Sequence, residues 1–173
     1  MNPYRALVER LGTTQAFAAV ASRVLPQLDA RCKGRRRSVT SFGTGFPLCY
    51  LTTTGRRSGQ QRTVALLYVA DGERIVVFGS NWGRREHPAW ALNLEADPCA
   101  LVEIEGVERP MRARRAGPAE AERWWPLADA FYPGYASYRR RAAREVRVIV
   151  LEPMVARAGR TLGATSCAWR PTH

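Results

Sequence analysis

A short basic stretch between residues 52 and 62 combines three arginines with two glycines. Glycine lets backbone N–H groups approach a phosphate, and the guanidinium groups of Arg56, Arg57 and Arg62 offer paired donors for phosphate or carboxylate oxygens. The stretch is not a P-loop, because the Gly-Lys-Ser/Thr ending is absent, and it is not a Gly-x-Ser-x-Gly nucleophile elbow. It therefore predicts either an anion-binding turn or a solvated hairpin, and its residues alone leave both open.

A second candidate stretch, residues 79–90, leads from the end of a predicted strand to the start of a predicted helix. Gly79, Ser80 and Asn81 place small and polar groups at the strand end, and basic residues follow. A helix N-terminus attracts anions, and the Trp90 ring could form one wall of a site for a flat ring. The alternative is an ordinary loop with Trp90 in the core.

Three tyrosines, Tyr132, Tyr135 and Tyr138, are spaced by three residues. If the segment is helical, they share one face. Because an unperturbed phenol has a pKa of about 10, it is protonated at neutral pH and can act as an acid. The three phenols could therefore hold a polar substrate group and donate a proton. The alternative is a tyrosine stripe that packs with its hydroxyls at the rim.

The formal net charge is +12, and nearly every cation is an arginine, since Lys33 is the only lysine. This excess predicts an anionic partner, which could be a polyanionic cofactor, a nucleic acid or an acidic membrane surface. A nucleic-acid binder would need base-stacking aromatics between its basic residues, and the runs 35–37 and 139–141 have none. We therefore expect no nucleic-acid partner.

The four cysteines are scattered without a CxxC pair, and the only histidines are His87 and His173, so we expect no metal site. Cys49 and Cys99 lie in apolar runs, which predicts that they are buried as small hydrophobes. The N-terminus lacks the order of a secretion signal, and the apolar runs are too short to cross a bilayer. We therefore expect a cytoplasmic protein.

The elements that position these stretches are mostly strands. Apolar residues at three- and four-residue steps predict one amphipathic helix over Thr13–Leu28, which a basic segment, residues 31–37, follows. Six short strands with turns such as Asp71-Gly72 and Glu105-Gly106 favour a small closed or nearly closed barrel over a parallel sheet. The predicted strands are 48–54, 63–70, 74–79, 99–104, 107–115 and 146–151, and the predicted helices are 89–95, 118–131 and 135–143.

Five motifs follow one another between residues 44 and 153, about two thirds of the chain. They are Leu51-Thr52-Thr53-Thr54-Gly55-Arg56-Arg57-Ser58-Gly59-Gln60-x-Arg62, Leu66-Leu67-Tyr68-Val69-x-Asp71-Gly72, Gly79-Ser80-x-x-Gly83, His87-Pro88-x-Trp90-x-x-Asn93-Leu94-x-Ala96-x-Pro98 and Tyr132-Pro133-x-Tyr135-x-x-Tyr138. Their order and spacing closely resemble the deazaflavin (F420)-dependent nitroreductase and quinone reductase family of actinobacteria. Each motif alone has low specificity, but five of them in the family's order are not expected by chance.

The resemblance implies an α+β fold of the split β-barrel type, with about six antiparallel strands, a few helices and a deazaflavin in a groove across the barrel. We divide the chain accordingly into an N-terminal helix and basic segment (1–43), a deazaflavin-binding domain (44–153) and a C-terminal tail (154–173). Coenzyme F420 carries a phosphate and an oligoglutamate tail, so it is a polyanion of the kind that the net charge predicts.

The family pattern also implies roles for individual residues. Arg56, Arg57 and Arg62 would grip the phosphate and the tail of F420. The residues that would line the ring are Val64, Ala65, Leu66, Gly79, Ser80 and Asn81. The residues that would support that wall are Trp90 and Asn93. Those that would act on the acceptor are Ser80 and Tyr135, with Tyr132 and Tyr138 beside them.

The implied function is that of an F420H2-dependent oxidoreductase. It would pass a hydride from the reduced deazaflavin to an electron-poor small molecule such as a quinone, an enone or a nitroaromatic ring. Tyr135, or water that it holds together with Ser80, would supply a proton. The alternatives are a non-catalytic protein that binds F420 or lipid, a related split-barrel enzyme that uses FMN and, last, a nucleic-acid binder.

Two residues depart from the family pattern. Gln61 stands where the family usually has proline, which predicts a looser turn before Arg62. Trp82 replaces a commonly small residue, which predicts a narrower or reshaped acceptor site. Contact of the N-terminal helix and the basic segment with a membrane surface is a further hypothesis.

Overall fold

Short strands with tight turns between them build the central part of the chain. The computed structural model describes residues 46–154. The strands are β1 (Leu48–Thr54), β2 (Gln61–Asp71), β3 (Arg74–Phe78), β4 (Cys99–Ile104), β5 (Val107–Arg115) and β6 (Val148–Pro153), and the helices are α1 (Ala89–Ala96), α2 (Pro118–Phe131) and α3 (Gly134–Ala142). The strands close into an antiparallel barrel in the order β1-β2-β3-β6-β5-β4. This architecture confirms the predicted α+β split-barrel class.

A two-residue turn sets the register of the β4–β5 hairpin. Ile104 pairs with Val107, and the turn residues Glu105 and Gly106 both have positive φ, 52° and 82°. Positive φ at both positions is the geometry of a type I′ turn, whose twist matches that of the flanking strands. The bounds that the sequence predicts for these two strands are therefore confirmed.

Two apolar cores hold the barrel and its helices together. The first core fills the barrel, where inward-facing residues such as Leu51, Val77 and Leu151 are fully buried. Helix α1 adds Trp90 and Leu94 to this core. Burial of each large aliphatic side chain stabilises the fold by about 1.5–3 kcal/mol relative to exposure. The barrel is thus a packed interior rather than a channel.

The second core lies outside the barrel, between the strands and helices α2 and α3. Strand residues that alternate with the inward-facing ones point into it, as the two-residue period of a strand requires. Its strand members include Val69, Val76, Phe78, Val148 and Val150, and its helical members include Trp124, Trp125, Ala128, Tyr135 and Tyr138. Helices α2 and α3 are therefore fixed against the same strands that border the candidate site.

Strands β2 and β3 part before they reach the end of the barrel. Strand β1 pairs with β2 over residues 61–67, but β3 pairs with β2 only over residues 68–71. After Phe78 the chain turns away, and the Gly79 N–H donates to the carbonyl oxygen of Arg147 at 2.8 Å. Within the described range, no strand pairs with the other side of residues 63–67. We call this side the open edge of β2.

Strand β6 begins two residues later than predicted. Val146 is buried in the second core rather than paired in the barrel. The guanidinium group of Arg147 forms an ion pair with Glu95 at 2.8 Å, and its carbonyl oxygen accepts the Gly79 bond. The Gly79–Arg147 bond extends the β3–β6 register by one residue beyond the pair of Phe78 and Val148.

The cysteines behave differently from one another. Cys49 is fully buried without a disulfide, as predicted, and burial raises the pKa of its thiol to about 12. Cys99 begins β4, is only half-buried and forms a disulfide bond, so the prediction of a simple buried thiol is wrong for it.

Several predictions fall on residues that the structure does not describe. These are the helix over Thr13–Leu28, the basic segment 31–37 and the tail after Met154. The division into 1–43, 44–153 and 154–173 therefore stays a prediction. Between residues 46 and 154, no helix is long and apolar enough to cross a membrane, and no group of three or more potential metal ligands occurs.

Leu151→Ala is expected to lower the free energy of unfolding by about 2–5 kcal/mol, because it leaves a cavity in the barrel interior. The control is Leu127→Ala on α2, whose side chain is 51% exposed, and its expected effect is about 0.5 kcal/mol or less. Urea denaturation measures both. Equal losses at the two positions would contradict a packed barrel interior.

Candidate active site

The arginine-rich turn between β1 and β2 depends on its two glycines. The Gly55 N–H donates to the Gln60 carbonyl oxygen at 2.8 Å, and the Gly55 carbonyl oxygen accepts from the Gly59 N–H at 2.7 Å. A Cβ at Gly55 would lie 2.8 Å from Oγ of Ser58, and Gly59 has a φ of 67°. Glycine is therefore favoured at one position by space and at the other by conformation.

Helix α1 anchors this turn through Asn93, which is 6% exposed. Its Oδ1 accepts the backbone N–H of Arg56 at 3.1 Å, and its Nδ2 donates to Oγ1 of Thr53 at 3.1 Å. Sequence analysis expected Asn93 to support the ring wall. The structure gives it the more specific task of fixing the backbone from which the arginine side chains project.

The three arginines of the turn all have exposed side chains. Arg62 follows directly in β2, where it lies opposite Thr53, and its guanidinium donates to Oε1 of Gln60 at 2.7 Å. No acidic residue occurs from 52 to 62. The turn therefore presents Arg56, Arg57 and Arg62 at one end of the open edge, without a carboxylate of its own.

The open edge of β2 offers backbone hydrogen-bonding groups. The bonds from Gly55 N–H to Gln60 and from Tyr68 N–H to Pro47 turn the even-numbered residues of β2 toward β1. Because the direction alternates along a strand, the N–H and C=O groups of Thr63, Ala65 and Leu67 face the open side.

The side chains of the open edge point to two different places. Val64 and Leu66 pack against the core inside the barrel, and Leu67 packs against the second core outside it. Ala65 alternates with Val64 and Leu66 and so lies on the outer face. Of the three predicted ring-lining residues on β2, Ala65 therefore offers its backbone to the open side, whereas Val64 and Leu66 offer half-buried apolar side chains.

The loop after β3 has a strained backbone. Asn81, Trp82 and Gly83 are consecutive residues with positive φ, 47°, 58° and 77°. Such a conformation costs of order 1–3 kcal/mol for a residue other than glycine, so the surroundings must hold it. A Cβ at Gly83 would lie 3.1 Å from Nε of Arg141 and 3.2 Å from Cα of Tyr138. The loop is therefore packed directly on α3.

The predicted site residues of this loop are buried or half-buried. Gly79 is tied to Arg147 through its N–H, and a Cβ there would lie 3.2 Å from the Arg147 carbonyl oxygen. Nδ2 of Asn81 donates to the Glu86 carbonyl oxygen at 2.9 Å. Ser80 is 8% exposed. Its hydroxyl forms no hydrogen bond with another residue between 46 and 154.

The three tyrosines come together, although not on one helix face. Helix α2 ends at Phe131 and α3 begins at Gly134, so Tyr132 lies in the connection between them. The condition for a shared helical face is therefore not met for Tyr132, which the predicted helix bounds also left between the two helices. The ring centroids are nevertheless only 5.5 Å (132–135), 5.9 Å (132–138) and 6.3 Å (135–138) apart.

The three phenols differ in their hydrogen bonding. The hydroxyls of Tyr132 and Tyr138 bond to each other at 2.8 Å. The Tyr135 ring packs on Phe78 at 5.1 Å between ring centroids, and its hydroxyl has no hydrogen-bond partner in the described part of the chain. Burial, together with the neighbouring Tyr132, raises the pKa of Tyr135 and of Tyr138 well above the usual value. Both phenols therefore keep their protons.

Trp90 lies inside the barrel rather than at the open edge of β2. It is 6% exposed and packs in the barrel interior with Ala91 and Leu94. This is the core position that the sequence offered as the alternative. Its predicted role as support for the wall stays a prediction.

Two further residues, Arg144 and Gly134, help to shape the site without any signal in the sequence. The guanidinium group of Arg144 bonds to several backbone carbonyls of the loop that contains Ser80. A Cβ at Gly134 would lie 2.6 Å from Cζ and 2.9 Å from the hydroxyl oxygen of Tyr132. No spacing pattern signals either role, because one depends on residues far apart in the chain and the other on the path of Tyr132.

Comparison with known proteins matches residues 27–153 to the family described as F420H(2)-dependent quinone reductase. The chain belongs to this family. Rv3178 of Mycobacterium tuberculosis, whose name assigns it to the F420H(2)-dependent quinone reductases, is 33% identical over 116 residues, which are 65% of this chain and 98% of that protein. The F420H(2)-dependent quinone reductase Rv1261c of the same organism is 29% identical over 61% of this chain and 72% of its own length.

A solved structure of an F420-H2 dependent reductase, FDR-A, supports the assignment. It is 34% identical, has a TM-score of 0.57, and the match covers 61% of this chain and 94% of that one. Membership in the F420H(2)-dependent quinone reductase family confirms the predicted enzyme class, an F420H2-dependent oxidoreductase, and its cofactor, coenzyme F420.

Gly134→Ala tests the packing of Tyr132. Helix propensity alone favours alanine over glycine by up to about 1 kcal/mol. The clash with Tyr132 predicts the opposite sign, a loss of about 1–3 kcal/mol, since an overpacked side chain must be displaced. Gly117→Ala, at the start of α2 with open space around its Cβ position, is the matched control. Stabilisation by Gly134→Ala in thermal and urea unfolding would contradict the described tyrosine arrangement.

Proposed function

We propose that F420 lies along the open edge of β2 and that a quinone binds beside Ser80 and Tyr135. The observation that carries this proposal is the open edge itself. No strand between residues 46 and 154 pairs with this edge, which lies at the junction of two apolar cores, and buried backbone donors and acceptors need partners. The deazaflavin ring system carries carbonyl and N–H groups along one side, so it can supply those partners.

The surroundings of the open edge fit the rest of the coenzyme. Val64 and Leu66 offer apolar surface to a flat ring, and the backbone of Ala65 offers hydrogen bonds to its polar side. Arg56, Arg57 and Arg62 lie at the end of the edge where a phosphate and an oligoglutamate tail need cations. Guanidinium groups make paired, charge-assisted bonds to such oxygens.

When bound, reduced F420 supplies a hydride, which together with one proton converts the quinone to its hydroquinone. The task of this chain is to hold the acceptor in place and to stabilise the negative charge that develops on its oxygen. The hydroxyls of Ser80 and Tyr135 are suited to that task, because neither is engaged by another described group.

The raised pKa of Tyr135 refines its role. A buried phenolate would be unfavourable, so Tyr135 serves as a hydrogen-bond donor that retains its own proton. The proton for the acceptor then comes from water that Tyr135 and Ser80 hold. The Tyr132–Tyr138 hydroxyl pair fixes the rings that surround Tyr135.

A quinone is the acceptor that we favour, because the family description and both named relatives specify quinone reduction. The direct test is oxidation of F420H2 by the purified chain with menadione as acceptor. An enone and a nitroaromatic compound serve as parallel acceptors. Binding of F420 without oxidation of F420H2 by any of them would favour the non-catalytic alternative.

Arg57→Ala is expected to weaken F420 binding. A charge-assisted hydrogen bond contributes about 1.5–3 kcal/mol, which corresponds to a rise in Kd of roughly 10- to 100-fold. Arg123→Ala, an exposed arginine on α2, is the control and should leave Kd unchanged. Fluorescence titration at two salt concentrations measures both. An equal effect at the two positions would point to nonspecific attraction by net charge.

Tyr135→Phe is expected to lower kcat for menadione by about 100-fold, the usual effect of removing one donor to a developing oxyanion. The Kd for F420 should change little, because the hydroxyl acts on the acceptor. Ser137→Ala, also on α3, removes a hydroxyl that accepts a bond only from Arg140 among the described residues and serves as the control. Full activity of Tyr135→Phe would remove this residue from the mechanism.

A further inference from the structure

Arg144, between α3 and β6, is bonded almost entirely to one loop. All three nitrogens of its guanidinium group donate hydrogen bonds, and most of the acceptors belong to residues 79–87. The acceptors in that loop are the carbonyl oxygens of Gly79 (3.1 Å), Ser80 (3.3 Å), Arg84 (3.2 Å) and Glu86 (3.0 Å) and Nδ1 of His87 (3.1 Å). A further bond goes to the carbonyl oxygen of Glu145 at 3.2 Å. Five acceptors of the loop therefore converge on this one guanidinium group.

The loop needs such a partner. Its residues 81–83 have left-handed backbone conformations, and it forms no strand ladder that would bind its carbonyl groups. Buried or half-buried carbonyl oxygens without donors are costly. Arg144 supplies those donors from a single rigid plane, which a lysine ammonium cannot do.

The charge of Arg144 is balanced by these dipoles rather than by an acid. Its side chain forms no ion pair among residues 46–154, although the carboxylate of Glu86 lies near enough to favour the charged form. Burial and the nearby Arg147 lower the pKa of Arg144. Burial, together with Arg147 and Arg144, also lowers the pKa of His87. A neutral His87 has a lone pair on Nδ1 that can accept the Arg144 bond, so a charged Arg144 beside a neutral His87 accounts for this contact.

The position of Ser80 depends on this cluster. Its carbonyl oxygen accepts bonds from Arg144 and from the Gly83 N–H at 2.9 Å. The preceding residue, Gly79, is bonded to Arg144 through its carbonyl oxygen and to Arg147 through its N–H. The backbone on both sides of the Ser80 Cα is thus fixed from the segment between α3 and β6.

We propose that Arg144 is a positioning residue, which holds the backbone of Gly79 and Ser80 so that the Ser80 hydroxyl meets the acceptor beside F420. This inference rests on the proposed function for its catalytic consequence. Its structural consequence, a loop ordered by one guanidinium group, can be tested in the protein without cofactor.

The experiment compares the full-length chain with Arg144→Ala, Arg144→Lys and the control Arg140→Ala, an exposed arginine on α3. Hydrogen–deuterium exchange of the cofactor-free proteins is measured for peptides that cover residues 79–87 and, separately, β4 and β5. Faster exchange is expected only in the loop, and only in the two Arg144 variants, because lysine does not reproduce the planar set of donors.

The kinetic readout is oxidation of F420H2 by menadione, with and without added guanidinium ion. Displacement of a reacting group by about 1 Å can cost roughly 100-fold, so we expect a loss of that order in kcat/KM for Arg144→Ala. Millimolar guanidinium should restore part of the lost kcat/KM and slow the exchange of the loop, whereas ammonium at equal ionic strength should do neither.

Three results would overturn the proposal. One is unchanged loop exchange in both Arg144 variants. Another is an Arg144→Lys variant with wild-type exchange and wild-type kcat/KM. The last is faster exchange in β4 and β5 as well, which would make Arg144 a general stabilising residue. Wild-type protein that does not oxidise F420H2 would contradict the proposed function instead, and the exchange data would still test the ordering of the loop.

Discussion

Backbone groups on the open edge of β2 need hydrogen-bond partners that the barrel does not supply. Strand β3 leaves β2 after Tyr68, and the carbonyl oxygen of Phe78 then accepts the Ser80 N–H at 2.8 Å. That divergence leaves one side of residues 63–67 without a pairing strand in the described range, and the Ser80 loop follows directly after β3. The proposed coenzyme site lies along this edge.

Groups from distant parts of the chain hold the arginine turn and the Ser80 loop in position. Asn93 of α1 fixes the arginine turn, and Arg144 fixes the Ser80 loop. Gly134 leaves space for the Tyr132 ring between α2 and α3. Each of these residues is needed for geometry rather than for chemistry. Hydrophobic packing of the two cores thus supplies stability, whereas a few polar contacts and one glycine determine where the functional groups lie.

Much of the fold could be predicted from local signals. The Glu105-Gly106 turn gave correct bounds for β4 and β5, since turn chemistry and strand alternation agree there. The approach of the Tyr132 ring to Tyr135 and Tyr138 could not be predicted, because it depends on the path of the connection between the two helices. The task of Arg144 was out of reach, because its partners lie about sixty residues away and are backbone oxygens that every residue possesses. Motif order, in contrast, was sufficient to indicate the family.

The most direct test of the account is hydrogen–deuterium exchange of the full-length chain with and without F420, with FMN as the comparison ligand. The account predicts slower exchange at the amides of Thr63, Ala65 and Leu67 and in the arginine turn when F420 is added. FMN at the same concentration should protect these amides much less, and the amides of β5 should be unaffected by either. Protection by F420 that leaves residues 63–67 unchanged would place the coenzyme elsewhere and contradict the central claim.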